Sequence, residues 1–122
     1  MARFVLPFLV AALLILFGPA VRAGENLSGA NDVSGINPNG SRYKGTATIT
    51  IGKKKCRVNW KFGATTAYGN CELKGDQFTV YFTLQGAKGV VVYKLQRNGT
   101  LVGSWWMNTS RKRKGRETLR PR

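Results

Sequence analysis

Histidine is absent from this 122-residue chain, which has only five carboxylates and two cysteines. Each shortage removes a kind of chemistry. Without imidazole the commonest general base is missing. The acids are Glu25, Asp32, Glu72, Asp76 and Glu117. Two fall in an N-terminal lead-in and one in a C-terminal tail, while Glu72 and Asp76 flank an expected turn. Paired-carboxylate catalysis needs two acids on rigid elements at a defined separation, which these do not offer. Nothing supplies three or four metal ligands. The sequence therefore points to a protein that is not an enzyme, with no catalytic residue, no metal and no cofactor.

The two cysteines, Cys56 and Cys71, sit in short strand-like segments on either side of Gly63-Ala64. Counting outward from that turn pairs Phe62 with Thr65, Trp60 with Ala67 and Val58 with Gly69, the register of an antiparallel hairpin. Cysteines opposite one another in such a hairpin can meet disulfide geometry. Their spacing is not that of a Cys-x-x-Cys redox pair. A structural disulfide implies an oxidising compartment.

The N-terminus agrees. Arg3 precedes an apolar run from Phe4 to Phe17, followed by Gly18-Pro19 and Val21-Arg22-Ala23. The run is shorter than the roughly 20 residues that cross a bilayer. It reads as a signal peptide spanning residues 1–23, cleaved after Ala23. Removing 23 of 122 residues leaves 99, enough for one domain. It also removes Arg3 and Arg22, taking the formal charge from +15 to +13. The expected address is a bacterial periplasm or the medium.

Residues 24–41 are rich in Gly, Asn and Ser and read as a loosely ordered lead-in. From residue 42 to 109 the period is two. Tyr43, Gly45, Ala47, Ile49 and Ile51 alternate with polar residues, as do Cys56, Val58, Trp60 and Phe62, and then Phe78, Val80, Phe82 and Leu84. Val90 to Leu95 and Leu101 to Met107 add two more runs, separated by Asn98-Gly99, a two-residue hairpin signal. No helical period occurs. These features predict an all-β antiparallel meander of six strands, closing into a barrel or barrel-like sheet. Residues 110–122 form a basic tail, in which a seventh strand could return at 115–120. With Tyr43, Trp60, Phe62, Phe78, Phe82 and Trp105 inward, so small a domain is expected to fill its interior.

The charge directs attention outward. Lys53, Lys54 and Lys55 occupy an expected turn, Arg57 and Lys61 continue along the wet face of the next strand, and Arg111, Lys112, Arg113 and Lys114 begin the tail. Trp106 neighbours Trp105, so alternation would turn one of the pair outward unless a bulge buries both. These ten residues form the candidate binding surface. An exported basic protein meets acidic proteins, acidic polysaccharides and anionic lipid headgroups. Nucleic acid suits such a surface chemically, but export argues against it.

The segments Asn37 to Ser41, Tyr43 to Thr50, Cys56 to Trp60, Gly69-Asn70-Cys71, Val90 to Tyr93, Gly99 to Trp105 and Gly115 to Leu119 resemble a family of small exported alphaproteobacterial proteins. Most are uncharacterised, and some are labelled fibronectin-binding. The resemblance implies an envelope or secreted protein and a host-protein partner. It transfers no site residue, and the Lys53 to Lys55 cluster and the Arg-Lys-Arg-Lys run before Gly115 depart from it. Three functions follow as expectations: macromolecular recognition by the basic β surface, carriage of a small apolar ligand inside the barrel, or a structural role on anionic lipid.

Overall fold

The computed structural model describes residues 27–122. The apolar leader and the expected cleavage after Ala23 lie outside the described residues. Eight strands follow in order: β1 (Gly29–Ile36), β2 (Arg42–Ile51), β3 (Cys56–Phe62), β4 (Thr65–Lys74), β5 (Gln77–Leu84), β6 (Ala87–Leu95), β7 (Leu101–Met107) and β8 (Gly115–Pro121). Each pairs antiparallel with the next, and β8 pairs back onto β1, so the meander is a closed barrel with no free edge. The expected all-β antiparallel barrel is the fold observed.

The lead-in departs from the sequence reading, and the tail supplies the returning strand that reading left open at 115–120. The lead-in supplies β1, which pairs with β2 from Gly29↔Ile49 to Ile36↔Arg42. The tail supplies β8, which pairs with β7 and β1. Both were obscured by their inward residues. β1 turns Asn31, Val33 and Gly35 inside, and β8 turns Gly115, Glu117 and Leu119 inside, all buried. Only one residue of each trio is a large apolar side chain, so the period-two signal is faint. Closure makes these strands because an open sheet would leave the outer edges of β2 and β7 unpaired.

The hairpin around Gly63-Ala64 has the expected register, with Val58↔Gly69, Trp60↔Ala67 and Phe62↔Thr65. Cys56 and Cys71 are disulfide-bonded with Cα atoms 5.0 Å apart. The Asn98-Gly99 turn is longer than expected. Gln96 N–H donates to the Thr100 carbonyl and Gly99 N–H to the Gln96 carbonyl, with Gly99 at φ +87°. That is a three-residue loop whose last residue takes the left-handed conformation. Asn37 to Ser41 repeats it, with Gly40 at φ +91°.

The two ends of the barrel differ. At the end holding the β2–β3, β4–β5 and β6–β7 connections, Val33, Ile49, Val58, Phe78, Val80, Leu101 and Leu119 fill the interior, none more than 3% exposed. Leu27 is buried with them, and its neighbour Ser28 accepts a hydrogen bond from Ile51 N–H at 3.0 Å. The disulfide staples this closed end. Replacing both cysteines by serine is expected to reduce stability by about 3 kcal/mol for a loop of this length. Denaturant unfolding should show the loss, while the far end of the barrel keeps its geometry.

Candidate functional site

At the opposite end, where β1–β2, β3–β4, β5–β6 and β7–β8 connect, the interior is not filled. A cavity of about 250 Å³ opens there, lined chiefly by Tyr43, Trp60, Phe62, Ala67, Phe82 and Trp105, with Glu117 also on its wall. The sequence reading expected a full interior. Eight strands enclose an interior that side chains can fill or leave partly open, and this barrel is packed at one end and open at the other. The inward aromatics are held apart edge to face, with Tyr43 and Phe62 centroids 5.4 Å apart, Trp60 and Phe82 5.9 Å, and Phe82 and Trp105 6.5 Å. T-shaped contacts brace the walls without stacking the rings into a plug.

Glu117 organises the inner part of this site. Its neighbours in the sheet are Gly35 on β1 and Gly103 on β7. Beyond Gly35 stands Tyr43, and beyond Gly103 stands Tyr93. The row across five strands is therefore Tyr93, Gly103, Glu117, Gly35, Tyr43. With no side chain between them, each tyrosine lies across a glycine and reaches the carboxylate from its own side. A Cβ on Gly35 would lie 2.0 Å from the Tyr43 ring, and one on Gly103 would lie 2.8 Å from the Tyr93 ring. Tyr43 donates its hydroxyl to Glu117 Oε1 at 2.7 Å, and Tyr93 donates to Oε2. Trp60 reaches across the barrel from β3 and donates Nε1–H to Oε2 at 2.9 Å.

Burial raises the Glu117 carboxyl above its ordinary value, while the bonds from Tyr93, Tyr43 and Trp60 pull it back without cancelling the shift. Tyr93 and Tyr43 are raised in turn, first by burial and then by the adjacent carboxylate charge. Trp105 lies against Gly115, where a Cβ would come within 2.5 Å of its indole nitrogen. Its Nε1–H is buried without an acceptor. Trp105 opposes the rise at Tyr43 and is the smallest of its causes. The indole N–H itself is sealed against β8, with its donor capacity unused.

The candidate binding surface is dispersed. Lys53, Lys54 and Lys55 are exposed at the β2–β3 turn, on the closed end. Arg57 and Lys61 lie on the outer face of β3, where Arg57 stands 5.3 Å over the Tyr68 ring. Trp106 lies on β7, across the barrel from β3, facing out beneath Lys114 Nζ at 4.5 Å from its ring. Arg111, Lys112, Arg113 and Lys114 form the β7–β8 loop at the open end. The ten residues thus occupy several faces. Alternation splits the tryptophans, and the one lining the cavity is Trp105.

Glu117 is the site residue that sequence reasoning missed. A lone acid among seven basic residues reads as a solvated charge. The available signal was the alternation Gly115, Glu117, Leu119, which places it on the same face as a leucine.

No family model and no curated protein matches the chain. Solved structures do resemble it. A redesigned β-barrel shares 17% identity over 83% of this chain and 96% of its own, with TM-score 0.71. Another, mFAP1 bound to DFHBI, shares 16% over 81% and 98%, with TM-score 0.67. A mutant of the fluorescent protein UnaG shares 12% over 80% and 97%, with TM-score 0.52. At these identities the likeness is one of fold.

Proposed function

We propose that this protein is an exported, non-catalytic barrel that binds a small ligand in its open end. The observation that carries this reading is the aromatic cavity, open at one end and sealed by packed core and a disulfide at the other. Its volume of about 250 Å³ is just below the usual range for small-molecule sites, which suits a compact planar ligand with part of its surface at the mouth. The barrel bound to DFHBI has the same fold, which supports the reading by analogy. Export is supported by the disulfide and the apolar leader. The absence of histidine, and a single inward acid among the described residues, already engaged by three donors, support binding over catalysis. Recognition of a macromolecule by the basic surface has less support, since its residues form no one footprint.

The test is a fluorescence titration with N-phenylnaphthylamine, a neutral apolar probe. Saturable one-to-one binding is expected. In Ala67→Phe a ring replaces a buried methyl on the cavity wall, so binding is expected to vanish while the far-ultraviolet dichroism of the barrel persists. Binding that survives Ala67→Phe, or no saturable binding of this probe or of its sulfonated analogue, would refute the proposal.

A further inference from the structure

Cations occupy both ends of the barrel, Lys53 to Lys55 among them at the closed end, but the exposed acids do not. Among the described residues the exposed acids are Asp32, Glu72 and Asp76. Asp76 lies in the β4–β5 turn and Glu72 near the end of β4, both on the closed end, and Asp32 is engaged by Arg122 at 2.9 Å. The open end carries Arg42, Lys61, Lys88 and Arg116 at or next to the ends of their strands, and Arg111 to Lys114 in its longest loop. The two ion pairs among the described residues, Lys94–Asp76 and Arg122–Asp32, involve none of these cations. The mouth is therefore a ring of uncompensated positive charge around a low-dielectric opening, an arrangement that focuses a field on the cavity.

The loop holding Arg111 to Lys114 is structured. Ser110 N–H donates to the Met107 carbonyl and Arg113 N–H to the Ser110 carbonyl. Lys114 Nζ donates to the Arg111 carbonyl at 3.0 Å while lying over Trp106. Lys114 thus pins the loop, leaving Arg111, Lys112 and Arg113 projecting at the rim.

The interior selects in the same direction. Aromatic walls beside a carboxylate could hold a cation, but the Glu117 oxygens already accept from Tyr43, Trp60 and Tyr93, and the rim repels positive charge. The cavity wall therefore offers a cationic ligand no free acceptor at Glu117, and the charge left without a partner is the positive charge of the rim.

Resting on the small-ligand reading above, we propose that the ligand is an amphipathic organic anion, its apolar body between the aromatic walls and its anionic oxygens at the mouth, among the rim cations. Two probes that share one body separate this claim from the parent reading: N-phenylnaphthylamine and its sulfonated counterpart, anilinonaphthalenesulfonate. At low salt the sulfonate is expected to bind about tenfold tighter than the neutral probe, and the gap should close near 0.5 M salt, where charges are screened beyond about 4 Å. Changing Arg111, Lys112 and Arg113 together to Ser should narrow it without salt, and Ala67→Phe should abolish binding of both probes.

Equal or weaker binding of the sulfonate would overturn the anionic preference and leave a carrier of neutral ligands. Sulfonate binding that persists in Ala67→Phe would place the probe on the surface and overturn both readings, as would failure of both probes to bind. Sulfonate binding alone, abolished by Ala67→Phe, would support the proposal.

Discussion

Glu117→Ala is expected to lower the unfolding free energy by about 4 kcal/mol, because three buried donors lose their acceptor at about 1–3 kcal/mol each and water entering from the mouth recovers part of the loss. The donors are Tyr43, Trp60 and Tyr93 on three separate strands, so the loss falls on the barrel as a whole. Glu117→Gln is the informative comparison. Its amide oxygen can accept from Trp60 and Tyr93, and its amide nitrogen can donate to Tyr43, whose hydroxyl is 3.4 Å from the Arg116 carbonyl as an alternative acceptor. The Gln variant should stay within about 1 kcal/mol of the parent at neutral pH.

The pH dependence separates the variants further. The folded Glu117 carboxyl lies above its ordinary value of 4.5, so the folded state holds this proton more tightly than the unfolded chain does. Its contribution to stability is complete below the ordinary carboxylate range and is lost as pH rises through the folded value. Chemical denaturation from acid to neutral pH should show this decline in the parent protein. Both Glu117→Gln and Glu117→Ala should lack it.

Gly103→Ala should be nearly as damaging, at about 3 kcal/mol. A Cβ there would meet the Val92 carbonyl oxygen at 2.4 Å and the Tyr93 Cα at 2.9 Å, both backbone atoms of the paired strand. Relief requires β6 and β7 to separate or Tyr93 to lift from the row, which breaks its bond to Glu117. Gly52→Ala is the control. Its Cβ would meet nothing within 4 Å, so its thermal midpoint should match or slightly exceed the parent's, while Gly103→Ala melts well below. A small effect of Gly103→Ala would show that the glycine gaps do not set the reach of the tyrosines.

The same row explains which parts of the site were legible. The inward positions of Trp60, Phe62 and Phe82 were readable because each lies in an unbroken alternation of apolar and polar residues. Cys56 and Cys71 were readable because a hairpin register depends only on residues between its ends. Gly35 and Gly103 were not readable as spacers, since a glycine's role there is defined by a tyrosine on the next strand. Trp105 was placed inward, but its unused N–H depends on its packing against Gly115 of the neighbouring strand.

The sequence by itself determined an antiparallel β chain, the hairpin and disulfide, most strand positions and the excess of positive charge, because those features reside in period-two patterning, short turns and composition. Only the tertiary structure decided that the polar lead-in and basic tail close the barrel as β1 and β8, that Glu117 enters the interior, and that one end stays open beneath a cationic rim. These are properties of neighbours across a closed sheet. A chain read in order cannot show that residues 35, 103 and 117 share one row until closure brings the first strand against the last.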